Sequence, residues 1–372
     1  MSFALTPYSP PDFDHEPLAS APDAALAPAP KDGVAPEGYH AMSVYPEYFK
    51  IDGEWLLAED SRMDCVPVLE DGRIHVREFR HLRQGDQVVC GRTETGARGI
   101  FVHTDGFRAP AAEGDAAADA GRRADNFAFR LGRSRETAFS REYDELYELL
   151  KHEREHGSIV WVMGPAFTFN GFSRTAFAKI VDAGYADAVF AGNAMATHDL
   201  EGAYFHTALG QDIETQENMP LGHYNHLDTI NRVRFHGSIG RFIEEEGVTD
   251  GIMHALEKNG VPYVLAGSIR DDGPLPCVHA NVYEAQDAMR DHLRKATTVV
   301  CMATMLHSIA TGNMTPSYRV LPDGTVRQVY FYCVDIAEFA VNKLTDRGSI
   351  ASRGIVTNVQ DFIANVAKGL GL

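Results

Sequence analysis

The stretch SIVWVMGPA at 158–166 decides the fold. Ile159 to Met163 are all apolar, and the run stops at Gly164 and Pro165. A strand with one wet face alternates apolar and polar residues, so an unbroken apolar run belongs to a strand covered on both faces. Comparable runs recur as DAVFAGNA at 187–194, PYVLAGSI at 262–269, TTVVCMAT at 297–304 and QVYFYCVD at 328–335. Helical patterns accompany them at about 172–184, 237–259, 281–295 and 336–346. Apolar strands alternating with helices predict an α/β fold, a doubly wound parallel sheet occupying 136–372.

Upstream the pattern differs. EWLLAED, CVPVLEDGRIHVREF and DQVVCGRTETGARGIFVHT are short β-type runs broken by DG, QG and TG turns, so 40–135 reads as a smaller β-rich domain with antiparallel pairing. The Ala- and Gly-rich stretch at 109–125 predicts a linker or mobile loop, and a helix capped by Ser140 is expected over about 138–156. Residues 1–39, rich in Ala and Pro, predict a flexible or extended arm, because such a segment buries too little apolar surface to offset its ordering entropy.

Composition narrows the function classes. The 372 residues are 44% hydrophobic and 23% charged, with a net charge of -18. That balance offers no basic footprint for nucleic acid or for an anionic membrane surface. No apolar run reaches a membrane span, and the N-terminus lacks the pattern of a signal peptide. Five scattered cysteines, without a CxxC pair, fit free thiols and a cytoplasmic setting.

In a doubly wound sheet, ligands bind beyond the carboxyl ends of the strands. The segments there are GPAFTFNG, AGNAMATHD, AGSIRDDGPLP, ATMLHSIATGNMTP and VDIAEFAVNK. Glycines for close approach, followed by helix starts that favour phosphate, suggest a dinucleotide along the sheet edge. The GxGxxG fingerprint is missing, so several loops would share the pyrophosphate; generic αβ turn chemistry is the plainer alternative. In SIRDDGPLP, Arg270 suits a carboxylate, and Asp271 and Asp272 suit ribose hydroxyls or an ammonium, against a simple cap and turn. TGNMTP at 311–316 reads as a turn suited to phosphate or amide recognition, and Asp335 as a strand-end ribose ligand or a helix cap.

GHYNHLDTINR at 222–232 lies in a long segment, about 200–235, that reads as a functional loop. His223, His226 and Asp228 resemble a metal set, but with no HExxH or CxxC no metal is expected. The alternatives are a self-bonded polar loop and a catalytic one, in which His198 and Asp199 of ATHD join the histidines and Arg232 with Arg234 clamps a carboxylate.

Taken together, AGNAMATHDLE, GHYNHLDTINRVR, LAGSIRDDGPLP, HSIATGNMTPSYRV and YFYCVDIAEFAVNKLTDRGS resemble the archaeal-type ornithine cyclodeaminase family. The same module ends the cyanobacterial bifunctional arginine dihydrolase/ornithine cyclodeaminases. DSRMDCVPVLEDGRIHVREFRHLRQGD resembles the domain that family shares with lysine-ketoglutarate reductase/saccharopine dehydrogenase (LOR/SDH) proteins. The resemblance covers about 42–368. It implies NAD on a Rossmann-like domain of the deoxyhypusine-synthase type, and conversion of L-ornithine to L-proline and ammonia with an internally recycled hydride. It also implies cofactor contacts at Asn193, Ala194, Asp271, Asp272, Gly312, Asn313, Met314, Thr315, Asp335, Thr357 and Asn358.

Residue chemistry then gives the α-carboxylate to Arg232 or Arg270, the distal ammonium to Asp228 or Asp272, and proton transfer to His223, His226 or His198. An NAD-dependent dehydrogenase or lyase acting on another amino acid, and a nucleotide-binding protein without turnover, remain the alternatives. The long arm favours exchange between subunits of a homo-oligomer.

Overall fold

The computed structural model describes residues 4–107, 141–271, 273–345 and 350–372. Asp272, the 109–125 linker and Ser140 lie outside the described residues.

The N-terminal part carries β1 (Ala25–Pro28), β2 (Glu47–Ile51), β3 (Glu54–Leu57), β4 (Val66–Glu70), β5 (Arg73–Arg77), β6 (Gln87–Cys90) and β7 (Ile100–Val102). These form an antiparallel sheet in the order β1-β6-β4-β5 and a second one in the order β3-β2-β7. The Asp-Gly turns of the β2–β3 and β4–β5 hairpins, Asp52-Gly53 and Asp71-Gly72, have positive φ at both residues, the geometry that matches a two-residue hairpin to strand twist.

Of the flexible or extended arm expected at 1–39, the flexible reading is corrected here. Ala25–Pro28 pairs with β6, Ala24 and Ala29 are buried, Phe13 stacks on Trp55, and Tyr8 Oη lies 2.8 Å from Tyr48 Oη. Long-range packing supplies what local propensity lacks, and Pro28 is tolerated because β1 is an edge strand.

The second part runs α1 (Arg141–His156), β8 (Ile159–Met163), a 3-10 turn (Pro165–Phe169), α2 (Gly171–Asp182), β9 (Ala188–Gly192) and α3 (Asn193–Phe205). Then come β10 (Thr207–Ala208), β11 (Gln211–Asp212), α4 (His223–His236), α5 (Ile239–Glu245), α6 (Ile252–Asn259), β12 (Tyr263–Ala266), α7 (Val282–Leu293) and β13 (Thr298–Met302). The chain ends with α8 (Met305–Met314), β14 (Tyr318–Val320), β15 (Val326–Gln328), β16 (Tyr330–Asp335), α9 (Glu338–Thr345), β17 (Ala351–Val356) and α10 (Val359–Leu370).

The parallel sheet has the order β12-β9-β8-β13-β16-β17. Counted from β8 this is 3-2-1-4-5-6, the Rossmann arrangement, whose winding reverses between β8 and β13. Its two faces are separately packed: Trp161, Met163, Val300 and Tyr332 join one apolar cluster, while Val160, Val162, Cys301 and Phe331 join the other. Burial of both faces is why these strands show no alternation.

The small domain is keyed to the large one by buried polar contacts. Ser61 Oγ lies 2.7 Å from Ser317 Oγ, and Tyr318 Oη donates to the Ala58 carbonyl at 2.9 Å.

Two further expectations change. The segment about 200–235 is not a loop: α3 reaches Phe205, a β10–β11 hairpin follows, and GHYNHLDTINR opens α4. The single helical stretch at 237–259 is two helices, α5 and α6, separated by a bend in which Gly247 and Gly251 take positive φ.

Candidate functional site

At the switch point, β8 and β13 deliver Gly164 and the Ala303–His307 turn side by side. A Cβ on Gly164 would lie 1.9 Å from the Ala303 carbonyl oxygen, so only glycine allows this approach. One strand over, a Cβ on Gly192 would lie 3.0 Å from Cε1 of His307. Thr304 turns its hydroxyl to His307 Nδ1, 3.1 Å away, rather than capping α8. Burial pushes His307 below the usual histidine range, and nearby Asp271 pulls it partly back.

Two helices, α3 after Gly192 and α8 after Thr304, begin here without a side-chain cap, as α4 and α6 also do, whereas α2, α5, α7 and α10 are capped by Asn170, Ser238, Asn281 and Asn358. Uncapped first-turn N–H groups at converging helix starts are the donor set an anionic phosphate requires. Exposed Leu306 and Ile336 add apolar surface on the same edge. These features fit a dinucleotide.

The predicted contacts divide by position. Asn193 and Ala194 open α3, Asp271 follows β12, Asp335 ends β16, and Thr357 and Asn358 follow β17, all at the carboxyl edge. Several already hold the frame. Asn193 Oδ1 accepts from Leu275 N at 2.9 Å, Asp271 accepts from Ser268 N at 2.8 Å, and Asp335 accepts from Ala337 N at 2.9 Å. Asn358 caps α10.

The turn read at Gly312, Asn313, Met314 and Thr315 is corrected. These residues form the last turn and cap of α8, not a loop turn, at the end facing away from the strand tips. Met314 packs in the core and receives a bond from Arg290 on its carbonyl, and Ser317 reaches the small domain. The start of the same helix, Thr304 to His307, was not singled out from the sequence. Its signal was available, because a helix start directly after a strand at a sheet's switch point is the expected phosphate position.

Beside the crevice lies a second cluster. His198 on α3 has Nδ1 2.9 Å from Glu201 Oε2, and His226 on α4 has Nδ1 3.9 Å from the same oxygen. The two imidazoles are 4.7 Å apart, and Phe169, after β8, meets His198 edge-on at 5.5 Å. Glu201 Oε1 accepts from Thr207 Oγ1 at 2.8 Å and Gly210 N at 3.1 Å. Helix α4 reaches the crevice through the loop after β12, where Arg234 donates to the Pro274 carbonyl at 2.9 Å. His198, Glu201 and His226 bring possible metal-ligating atoms within 4.8 Å of one another.

Four predicted residues stay outside this cluster. His223 and Asp228 are exposed, His223 against Tyr224. Arg232 covers the Tyr204 ring and pairs with Glu246 at 3.2 Å. Arg270 is exposed on the post-β12 loop. Asp199 is structural: buried, it accepts from Arg174 Nε at 2.8 Å and Met253 N at 2.7 Å. Glu201 went unnoticed because its neighbours His198 and Asp199 carry the more conspicuous chemistry.

Among the described residues no helix is long and apolar enough to cross a membrane. Fold and site together define a Rossmann-type α/β protein with a buried histidine–carboxylate cluster at its carboxyl edge.

The family described as the arginine dihydrolase ArgZ-like C-terminal Rossmann fold matches residues 145–366, and that described as its C-terminal first region matches 46–106. The chain is 41% identical to the ornithine cyclodeaminase of Methanopyrus kandleri, covering 93% of this chain and 78% of that one. With the ornithine cyclodeaminase of Methanocaldococcus jannaschii it shares 37% identity over 93% and 77%. The crystal structure of a conserved LOR/SDH protein from Methanococcus maripaludis S2 superposes with a TM-score of 0.79 at 34% identity, covering 94% and 98%. The ternary complex of AgrE with ornithine and NAD+ gives 0.54 at 31% identity, covering 95% of this chain and 46% of that one. The chain belongs to this ArgZ-like, archaeal-type ornithine cyclodeaminase family.

Proposed function

We propose that the protein is an NAD-dependent ornithine cyclodeaminase, an ammonia-lyase that forms L-proline from L-ornithine. The observation that carries this reading is the meeting, at one sheet edge, of two uncapped helix starts with the His198–Glu201–His226 cluster. The solved complex of the relative AgrE with ornithine and NAD+ supports the same pair of ligands.

When bound, NAD supplies reversible acceptance of a hydride. The first-turn N–H groups of Asn193 and Ala194, and of Met305 to His307, would hold its pyrophosphate. Asp335 takes ribose hydroxyls. Leu306 and Ile336 exclude water from the rings, and Arg270 binds the α-carboxylate from the mouth of the crevice. His198 and His226 carry protons to and from the substrate's nitrogens. We assign the protein to the cytoplasm, to proline-forming amino-acid metabolism, and to a homo-oligomer.

The test is turnover by the purified protein with L-ornithine and NAD+. Proline and ammonia should appear in equal amounts without net NADH. No proline would reject the substrate, and NADH accumulating in step with ornithine loss would make the protein a dehydrogenase.

A further inference from the structure

We infer that Glu201 is the positioning residue of the proton-transfer site, fixing His198 with Nδ1 toward its own carboxylate and Nε2 toward the exchanging proton. The inference rests on the proposed reaction and assigns a residue to it.

Helix α3 has almost no amphipathic character, and apart from Ala194 every residue from Asn193 to Gly202 is buried. A carboxylate there loses its hydration and must find partners that replace the water. Glu201 is 0% exposed, and its oxygens divide the work. Oε1 accepts from Thr207 Oγ1 and from the Gly210 amide, which clamps the carboxylate to the β10–β11 hairpin. Oε2 is left for the imidazoles, His198 at 2.9 Å and His226 at 3.9 Å. Among the described residues, these two rings are its ion-pair partners within 4.0 Å.

The geometry fixes the exchanging atom. With Nδ1–H donating to Glu201, the ring presents Nε2 for proton exchange. The Phe169 edge restrains the ring on another side. His226, tilted 32° from His198, has a side chain 29% exposed and is the member reached from outside. Its helix is tied to the same clamp, since Asn225 Nδ2 donates to Thr207 Oγ1 at 2.9 Å. One hydroxyl therefore couples α3, the hairpin and α4.

Such a device matches the reaction's proton balance. Ring closure forms a bond from the δ-nitrogen to the α-carbon and breaks the bond from the α-carbon to its nitrogen. The δ-nitrogen gives up a proton, and the departing nitrogen takes one to leave as ammonia. A histidine that accepts and returns one proton serves both events, and Glu201 keeps its tautomer correct throughout. A metal on the same atoms is the rival arrangement. Zinc at about 2.0–2.2 Å from each ligand would replace the His198–Glu201 hydrogen bond rather than preserve it.

The experiment uses the full-length enzyme. E201Q keeps the volume and can still accept from the hairpin, but its amide cannot accept from His198. Expected are a fall in kcat of about 100-fold or more, unchanged NAD affinity, and a solvent deuterium isotope effect on kcat larger than in wild type. T207V, which loosens the clamp without touching a histidine, should give a loss of about 10-fold. Independently of turnover, a downfield imidazole N–H signal protected from exchange should be present in wild type and absent in both E201Q and H198A. Wild-type kcat and isotope effect in E201Q, in an enzyme that does form proline, would overturn the inference. So would that N–H signal surviving in E201Q, or one bound metal per chain in wild type that E201Q loses. Failure of the wild type to form proline counts against the reaction alone, and the imidazole signal then decides the positioning role.

Discussion

On α4, residues three and four apart share a face, and this separates working groups from bystanders. Thr229, Ile230 and Val233 are buried and His226 is half-buried above them; Asp228 and Arg232 lie on the exposed side, while His223, on the same face as His226, is exposed as the first residue of the helix. His226→Ala is therefore expected to lower turnover about 100-fold. Arg232→Ala, which gives up an exposed pair with Glu246, should leave kcat within about 2-fold and cost at most about 1 kcal/mol in unfolding. Steady-state kinetics and urea titration check both. The sequence showed that 198–234 was dense in ionisable groups, but not which of them meet. Composition is a property of the stretch, whereas meeting depends on helix phase. Reading the stretch as a loop discarded that phase.

At the scale of elements, α8 teaches the same lesson in the other direction. Gly312 and Asn313 look like turn residues, yet they close the helix, and it is the helix start that lies beside Gly164 and Gly192. Gly192 guards that start. Gly192→Ala places a methyl 3.0 Å from the His307 ring and should weaken NAD binding about 10-fold in a fluorescence titration, with the fold retained.

Stability should also respond to pH at this element. Burial lowers the folded-state pKa of His307, and that of His292 on α7, below the unfolded value of about 6.5. Above that value both states are neutral and nothing is lost. As pH falls through the window between the unfolded value and the depressed folded one, the unfolded chain binds protons first and stability declines. His307→Gln should flatten that part of the decline. Thermal melts of both proteins from pH 7.5 to 5.5, about the unfolded value, measure it, and parallel curves would contradict the cause.

For the whole molecule, the parallel sheet was legible because both-face burial writes continuous apolar runs into the chain. Edge elements were less so. β17 (ASRGIV) carries polar residues on an edge of the sheet, and β1 (ALAP) becomes a strand only because β6 offers it a partner. Residues 4–39 therefore belong to the β-rich unit's structure. Deleting residues 1–30 uncovers β6 and the aromatic surface around Tyr48 and Trp55, and should lower Tm by several degrees in a thermal melt. An unchanged Tm would show the arm to be dispensable.

The most direct test of the account follows two atoms at once. L-Ornithine carrying deuterium on the α-carbon and nitrogen-15 on the α-amine is turned over with NAD+, and the products are weighed by mass spectrometry. The account predicts proline that keeps the deuterium and ammonia that carries the nitrogen-15, because the α-hydrogen leaves as a hydride and returns to the same carbon. Proline that retains the nitrogen-15, or that has lost its deuterium to water, would contradict it.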